Sequence, residues 1–235
     1  MTDEQQRLAT IASDSRYAEG LNGASVAYGI QVFARHWRQG SCLELGPAEG
    51  LATGLLTAYF DDLTCVDGAD MFCQALGSRY PGIRVQCSLI EEYSPGRTFD
   101  NIVLGHVLEH VEDPVAVLAR VRTWLTASGR LFASVPNARS LHRQMGVAMN
   151  LLPAEHSLNA LDRHHGHRRV YDPESFRREF RAAGLGIEVF GGYWIKPAAN
   201  AHLEAHWTRE MIDAAMVVGE RYPDIAGEIY VVAGR

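Results

Sequence analysis

Residues 42–50, Cys-Leu-Glu-Leu-Gly-Pro-Ala-Glu-Gly, place a short apolar strand directly before a glycine-containing turn that opens a helix. Glycine in such a turn lets the backbone approach a ligand closely, and the start of the helix offers unpaired N–H groups. Ala48 stands where a dinucleotide-binding turn has its middle glycine. Taken alone, the turn indicates either a nucleotide-type ligand site or an ordinary tight connection.

From residue 42 onward, short apolar runs alternate with longer helical segments. The helical pattern also covers residues 4–37, with a break near residues 20–23. Repeated strand and helix is the pattern of a parallel sheet with helices on both faces. The strands are expected at residues 42–45, 63–66, 83–85, 101–104, 130–135, 187–190 and 228–233, the last of them antiparallel.

Composition excludes several classes of protein. The 235 residues are 47% hydrophobic and 21% charged, which is ordinary for a globular domain and unlike a disordered, collagen-like or coiled-coil chain. A net charge of -6 disfavours binding to nucleic acid. The polar N-terminus and short apolar runs predict neither a signal peptide nor a membrane span. The four cysteines form no Cys-x-x-Cys pair, so we expect a reducing cytoplasm.

A carboxylate lies at the end of the second expected strand. It belongs to Asp67, 17 positions after Gly50. A carboxylate at this place can accept both hydroxyls of a ribose, although a solvated Asp is the simpler interpretation. The turn and Asp67 together predict an adenosine-like ligand lying across the sheet where its strand order reverses.

Four ordered stretches, at residues 43–50, 66–69, 99–114 and 129–137, resemble class I S-adenosylmethionine-dependent methyltransferases. The third stretch is similar to the small-molecule branch that includes the ubiquinone O-methyltransferases. The resemblance covers residues 40–137 and continues more loosely through residues 166–174. It implies a Rossmann-like α/β fold with a seven-stranded, mostly parallel sheet, and S-adenosylmethionine as the cofactor.

The resemblance also implies which residues bind the cofactor. Glu44 should lie near the methionine amino group, Asp67 should bind the ribose, and His106 should lie near the sulfonium. Ser88 replaces the Asp that is usual at its position, which weakens that contact or transfers it to the backbone. The full implied set is Glu44, Gly46, Gly50, Asp67, Gly68, Ala69, Ser88, Leu89 and His106.

Methyl transfer from a sulfonium is an in-line displacement that mainly requires positioning of the nucleophile. A base must also remove the acceptor's proton, and histidine suits this because its pKa lies near neutrality. His106 is our first candidate for the base, with His165 and His167 as alternatives. We expect His110 to stabilise the turn before the next helix.

Residues 162–169 contain three arginines and three histidines. This loop admits a metal site, a solvated basic surface, or a site where Arg163, Arg168 and Arg169 bind an acidic group of the substrate. We expect no metal there. Tyr17 and Tyr28, in the N-terminal helical region, are expected to help close the pocket over the substrate, with ordinary packing of an amphipathic helix as the alternative for Tyr28.

We therefore predict a single methyltransferase domain, residues 1–235. It comprises a helical lid (1–39), a cofactor-binding core (40–137), a substrate-cap insertion (138–170) and the rest of the sheet (171–235). The expected reaction methylates an oxygen, or alternatively a nitrogen, of a small polar or sugar-like substrate. A substrate that also carries an acid group is one option. The expected partner is this small molecule, without nucleic acid or membrane; a homodimer is one option. A nicotinamide-dependent oxidoreductase and a non-catalytic S-adenosylmethionine-binding module are the alternatives.

Overall fold

A seven-stranded sheet organises the protein, for which a computed structural model describes residues 2–15 and 18–235. The strand order is β3-β2-β1-β4-β5-β7-β6, and only β7 runs against its neighbours. The predicted fold class is confirmed. The strands are β1 (Cys42–Leu45), β2 (Leu63–Asp67), β3 (Arg84–Cys87), β4 (Phe99–Gly105), β5 (Leu125–Pro136), β6 (Gly186–Tyr193) and β7 (Glu228–Gly234).

Helices connect the strands and cover both faces of the sheet. Two of them, α5 and α8, begin with an Asp cap followed by Pro, which is a favourable helix start. The helices are α1 (Asp3–Ala12), α2 (Gly20–Ala34), α3 (Leu51–Leu56), α4 (Asp70–Arg79), α5 (Pro114–Thr123), α6 (Leu141–Ala148), α7 (Ala160–His164), α8 (Pro173–Ala182), α9 (Asn200–His206) and α10 (Arg209–Gly219).

Several boundaries differ from the sequence-based expectation: β4, for example, begins two residues earlier, at Phe99, and β6 extends three residues further, to Tyr193. The N-terminal helical region breaks before residue 20, and Gly20, with φ +52°, opens α2. β5 begins at Leu125, five residues before the predicted start. The sequence did not predict this part of the strand because residues 126–130, Thr-Ala-Ser-Gly-Arg, lack the apolar run by which a strand is recognised.

Each face of the sheet has its own hydrophobic core. On one face, Phe176 and Phe180 of α8 and Leu118 of α5 pack against strand residues such as Ile102. On the other, Phe33 of α2 and Met216 of α10 belong to a cluster with Val103, Phe132 and Val232. Alternate residues of β4 thus enter opposite cores, as expected for a strand buried on both sides.

One edge of this sheet collects the ends of many elements. The carboxyl ends of the parallel strands lie there, together with the first residue of the antiparallel β7. The insertion at residues 138–170 also leaves and returns there: Asn137 pairs with Tyr171, and the N–H of Ala138 donates to the Tyr171 carbonyl at 2.6 Å. Within the described residues, every helix is too short or too polar to cross a bilayer.

Candidate functional site

The turn after β1 is held by the carboxylate that ends β2. The N–H of Ala48 donates to Asp67 Oδ2 at 3.1 Å, and the N–H of Ala69 donates to Asp67 Oδ1 at 2.8 Å. Gly46 has φ +69°, and a Cβ added there would lie 2.7 Å from Val107 Cγ2. Ala48 has φ +46° despite its side chain. The turn therefore keeps a left-handed conformation that Asp67 stabilises.

Glu44 is a buried carboxylate beneath this turn, with 3% exposure. Its Oε2 accepts hydrogen bonds from Thr53 Oγ1 at 2.7 Å and from Cys65 Sγ at 3.3 Å. Burial raises the pKa of Glu44 to about 7, against the opposing effect of these two hydrogen bonds. Glu44 can therefore gain or lose a proton near neutral pH.

A cavity lies along this edge of the sheet, with an empty volume of about 1380 Å³ that includes the solvent at its open mouth. Helices α1 and α2 contribute to its wall, and the loops after β1, β2 and β4 border it. Most of the predicted cofactor-binding residues line it, namely Glu44, Gly46, Asp67, Gly68, Ala69, Leu89 and His106. The structure thus brings three separate sequence motifs to one site.

Gly50 and Ser88 do not line the cavity. Gly50 has φ +78°, and an added Cβ would lie 2.5 Å from Leu76 Cδ2, so this glycine serves the packing of α4. The Ser88 hydroxyl donates to the Leu89 carbonyl at 3.0 Å. The wall at this point is formed by Leu89 and Ile90 instead. Their assignment as direct cofactor contacts stays a prediction.

Sequence reasoning missed several apolar residues that line the cavity. Leu8 and Ile11 of α1 and Phe72 of α4 lie on its wall. Leu8 covers Gly68 so closely that an added Cβ there would lie 2.6 Å from Leu8 Cδ1. The spacing of Leu8 and Ile11 on one helix face was the available signal.

His106 lies between two buried carboxylates. Its Nδ1 is 3.3 Å from Glu109 Oε1, and its Nε2 is 3.7 Å from Glu228 Oε2. Burial alone would lower the pKa of His106, but Glu228 and Glu109 outweigh it and raise the pKa to about 9. The backbone of His106 has φ +56°, and its backbone N–H donates to the Ser134 carbonyl at 2.9 Å. The side chain is therefore fixed in place at the cavity wall.

The alternative bases His165 and His167 do not line this cavity. His167 Nδ1 lies 3.5 Å from Asp162 Oδ1, and its ring packs against His110 with centroids 4.8 Å apart. His110 itself lines the cavity, and burial lowers its pKa to about 4. His167 thus stands behind His110, and the assignment of His165 and His167 as alternative bases stays a prediction.

The same neighbourhood brings together potential metal ligands. Ligand atoms of Glu109, His110 and His167 all lie within 4.8 Å of one another. One carboxylate and two imidazoles can bind a transition metal. Sequence spacing did not reveal this group, because His167 belongs to the insertion and lies more than fifty positions after Glu109 and His110 in the chain.

Two of the three arginines predicted to bind substrate support the loop after β4. Arg169 donates to the carbonyls of Leu108 at 3.1 Å, Val111 at 2.6 Å and Glu112 at 2.9 Å. Arg168 donates to the His110 carbonyl and to Glu4, both at 2.8 Å, and Arg163 donates to the Leu158 carbonyl at 2.9 Å. None of the three lines the main cavity.

Of the two tyrosines predicted to close the substrate pocket, only Tyr28 lies within the described residues. The Tyr28 hydroxyl donates to Glu220, which also pairs with Arg35, while its ring packs against Tyr193 of the cavity wall with centroids 5.6 Å apart. Tyr28 itself does not line the cavity, and its assignment to the substrate site stays a prediction. Tyr17 lies outside the described residues.

Residues 17–188 match the family model for the methyltransferase domain. The chain belongs to this family. It is a class I member, its cofactor is S-adenosylmethionine, and the nicotinamide alternative is therefore set aside.

Curated relatives and solved structures agree with this family. The chain is 30% identical over 124 residues to a ubiquinone biosynthesis O-methyltransferase of Chromobacterium violaceum, a match that spans 51% of each chain. It is 26% identical over 166 residues, 67% of each chain, to the enzyme of that name from Xanthomonas euvesicatoria. The match therefore spans about half the length of the first relative.

The fold is also similar to that of N-methyltransferase NodS from Bradyrhizobium japonicum, solved with S-adenosyl-L-homocysteine. The TM-score is 0.62 at 14% identity, and the alignment covers 98% of this chain and 95% of NodS. At this identity the likeness shows the fold alone.

The role of Arg169 can be tested by stability. Arg169→Gln should lower the free energy of unfolding by about 1–3 kcal/mol, because buried carbonyls lose charged hydrogen-bond donors. Exposed Arg163→Gln is the control, with a change within about 0.5 kcal/mol. Urea unfolding measures both; equal stabilities of the two variants would contradict a supporting role for Arg169.

Proposed function

We propose that this protein transfers the methyl group of S-adenosylmethionine to an oxygen atom of a small polar molecule. The observation that carries the proposal is that Glu44, Asp67 and His106, from three different strand ends, line one cavity. The O-methyltransferase names of the curated relatives favour oxygen. Nitrogen is the alternative acceptor atom.

The cofactor half of the cavity suits an adenosyl group and a methionine end. Each Asp67 oxygen accepts one backbone N–H, which leaves acceptor capacity for the ribose hydroxyls. Gly68 and Ala69, together with Leu8 and Phe72, offer an apolar slot for adenine. The carboxylate form of Glu44 would pair with the ammonium group of the methionine end.

His106 is the proposed base at the other half. The acceptor oxygen forms a bond to the methyl carbon while the C–S bond breaks, and sulfur keeps the electron pair. The acceptor's proton passes to His106 in its neutral imidazole form, which is the minor form near pH 7 because the pKa is raised to about 9, and Glu109 and Glu228 stabilise the imidazolium that results. The apolar walls exclude water and disfavour hydrolysis of the cofactor.

We also propose a lid over the cavity and a cap that binds substrate. Helix α1 lies over the cavity, and Arg7 holds it to the Gly166 carbonyl at 3.1 Å and the His110 carbonyl at 3.3 Å. A second cavity between α1 and the insertion is lined by Arg163 and Arg168. This arrangement supports residues 1–39 as a lid and residues 138–170 as a cap that binds an acidic part of the substrate. We also propose a cytoplasmic location for the protein. Light scattering, which measures the molecular mass in solution, would test whether it forms a homodimer.

The protonation state of Glu44 should make the affinity for the cofactor depend on pH. Burial raises the pKa of Glu44 to about 7 without cofactor, so most molecules carry the neutral acid at pH 5.5. Binding of an ammonium group favours the carboxylate. Affinity should therefore rise on the order of tenfold between pH 5.5 and 7.5 in isothermal titration, since one proton must be released.

Glu44→Gln supplies the control for this measurement. The amide cannot ionise, so the affinity of the variant should be lower and nearly constant over the same range. Any ionisation of the cofactor itself affects both proteins equally. A wild-type affinity that does not change with pH would contradict the proposed contact between Glu44 and the ammonium group.

His106→Ala tests the proposed base. Transfer of a labelled methyl group from S-adenosylmethionine to a polar metabolite extract should fall by about 10²-fold or more, because general-base catalysis is lost. The dissociation constant for the cofactor should stay within about threefold. His202→Ala, at an exposed position of α9, is the control and should retain full transfer.

The measurements of cofactor binding and of label transfer distinguish the proposed enzyme from a non-catalytic binding module. A wild-type protein that binds the cofactor but labels no component of the extract would favour the module. Full transfer by His106→Ala would leave the methyltransferase function intact and place the base elsewhere.

A further inference from the structure

Two cysteines lie together behind the adenine side of the main cavity. Cys73 belongs to α4, and Cys87 is the last residue of β3. The Cys73 Sγ lies 3.4 Å from the carbonyl oxygen of Asp67 and 3.9 Å from that of Gln86. Asp67 and Cys87 are register partners on β2 and β3, and neighbouring strands lie about 4.8 Å apart. The Cys73 thiol therefore lies over the end of β3.

The side chain of Cys87 turns toward the same helix. Its thiol donates to Asp70 Oδ1 at 2.8 Å, and Asp70 is the first residue of α4. Residues three apart lie on one face of a helix, so Asp70 and Cys73 both face the end of β3. The two thiols are close enough to interact with each other. The contact between α4 and β3 thus forms a cysteine pair.

Solvent reaches this pair at one of its two sulfurs. Cys87 is exposed, whereas Cys73 is buried, with 9% exposure. Such a pair can react with a small disulfide in two steps, in which the outer sulfur forms a mixed disulfide and the inner sulfur displaces the added group. The other two cysteines, Cys42 and Cys65, are fully buried and serve as internal controls.

Both cysteines lie next to the cavity wall in the chain. Phe72 directly precedes Cys73, Leu89 follows Cys87 by two residues, and both Phe72 and Leu89 line the cavity. The Asp67 carbonyl, to which the Cys73 thiol donates, also accepts the N–H of the residue after Cys87. A bond between the two sulfurs draws these two walls together and removes the thiol donor from Asp67. The slot proposed for adenine becomes narrower as a result.

We propose that Cys73 and Cys87 form a reversible disulfide, and that this disulfide weakens binding of the cofactor. The oxidant is a small-molecule disulfide of the glutathione class. The Cys87 thiolate attacks one of its sulfurs and releases one glutathione, and the Cys73 thiolate then attacks the Cys87 sulfur and releases the second. Two electrons and two protons pass from the cysteine pair to the oxidant, whose S–S bond breaks as the one in the protein forms. The effect on binding rests on the placement of adenine in the proposed function.

Asp70 restrains the first step. Desolvation and the hydrogen bond to this carboxylate raise the pKa of the Cys87 thiol, and the thiolate is the form that reacts. Asp70→Asn should therefore react with oxidised glutathione about fivefold faster or more, because its thiolate fraction is larger. Asp61→Asn, at another exposed acid, is the matched control and should react at the wild-type rate.

Oxidised glutathione added to the full chain tests the disulfide itself. Intact mass spectrometry of wild type should show the loss of two hydrogen atoms, and peptide mapping should join Cys73 to Cys87 while Cys42 and Cys65 stay thiols. Dithiothreitol should restore the original mass. Cys73→Ser should stop at a glutathione adduct on Cys87. An unchanged wild-type mass, or a stable adduct on wild type, would overturn the proposal.

Isothermal titration with S-adenosyl-L-homocysteine tests the effect on the cofactor site. The oxidised wild type should bind about fivefold more weakly or worse than the reduced form, and by reciprocity the bound ligand should disfavour the disulfide by the same factor. Cys87→Ser, at an exposed position, cannot form the bond and should bind equally before and after treatment with oxidised glutathione.

The failure of this proposal differs from a failure of the proposed function. Equal affinities of the reduced and oxidised wild type would overturn the effect on the cofactor. Weaker binding by treated Cys87→Ser would also overturn it, because the loss would then not come from the disulfide. A reduced wild type that does not bind S-adenosyl-L-homocysteine would instead refute the proposed function, and the mass measurement would still decide whether the disulfide forms.

Discussion

The Asp67 carboxylate, which receives the N–H groups of Ala48 and Ala69, is the interaction on which the site depends. It joins the turn after β1 to the end of β2, and so fixes the two segments that border the cofactor half of the cavity. The turn contains left-handed residues at Gly46 and Ala48, a conformation that is costly for a residue with a Cβ. The two hydrogen bonds offset that cost and preorganise the carboxylate before a ligand arrives.

The sheet divides the chemistry between its two halves. The ends of β1 and β2 supply Glu44 and Asp67, which suit a nucleoside and an ammonium group. The ends of the later strands supply His106, which suits an acceptor. Topology makes this possible: β7 runs antiparallel between β5 and β6, so that its first residue, Glu228, reaches the same edge and faces His106.

The local sequence predicted the number and approximate positions of the strands, because strand patterns depend on neighbours in the chain. The first strand was predicted with the observed bounds, and Asp67 does end the second. The positions of side chains supplied by the insertion were not predictable in this way. Arg169 lies near several His residues in sequence, but its guanidinium turns to carbonyls of the loop after β4, which need donors.

Contacts between distant segments explain the other differences. Tyr193 and Glu228 reach the site from strands that follow the cofactor motifs by more than fifty residues, and their own neighbours in sequence carry no motif. Leu8 reaches the cavity because α1 folds back over Gly68. Tyr28 follows the apolar pattern of α2, yet its hydroxyl has a charged partner in Glu220. Such partners are set by tertiary packing, which periodicity does not encode.

Isothermal titration of S-adenosylmethionine into Asp67→Ala tests the central claim most directly, with Asp70→Ala, an exposed acid three residues later, as the matched control. Wild type and Asp70→Ala should bind with similar affinity. Asp67→Ala should bind at least tenfold more weakly, which is a loss of about 1.4 kcal/mol. Equal affinities for all three proteins, or tighter binding of a nicotinamide dinucleotide than of S-adenosylmethionine by wild type, would contradict the account.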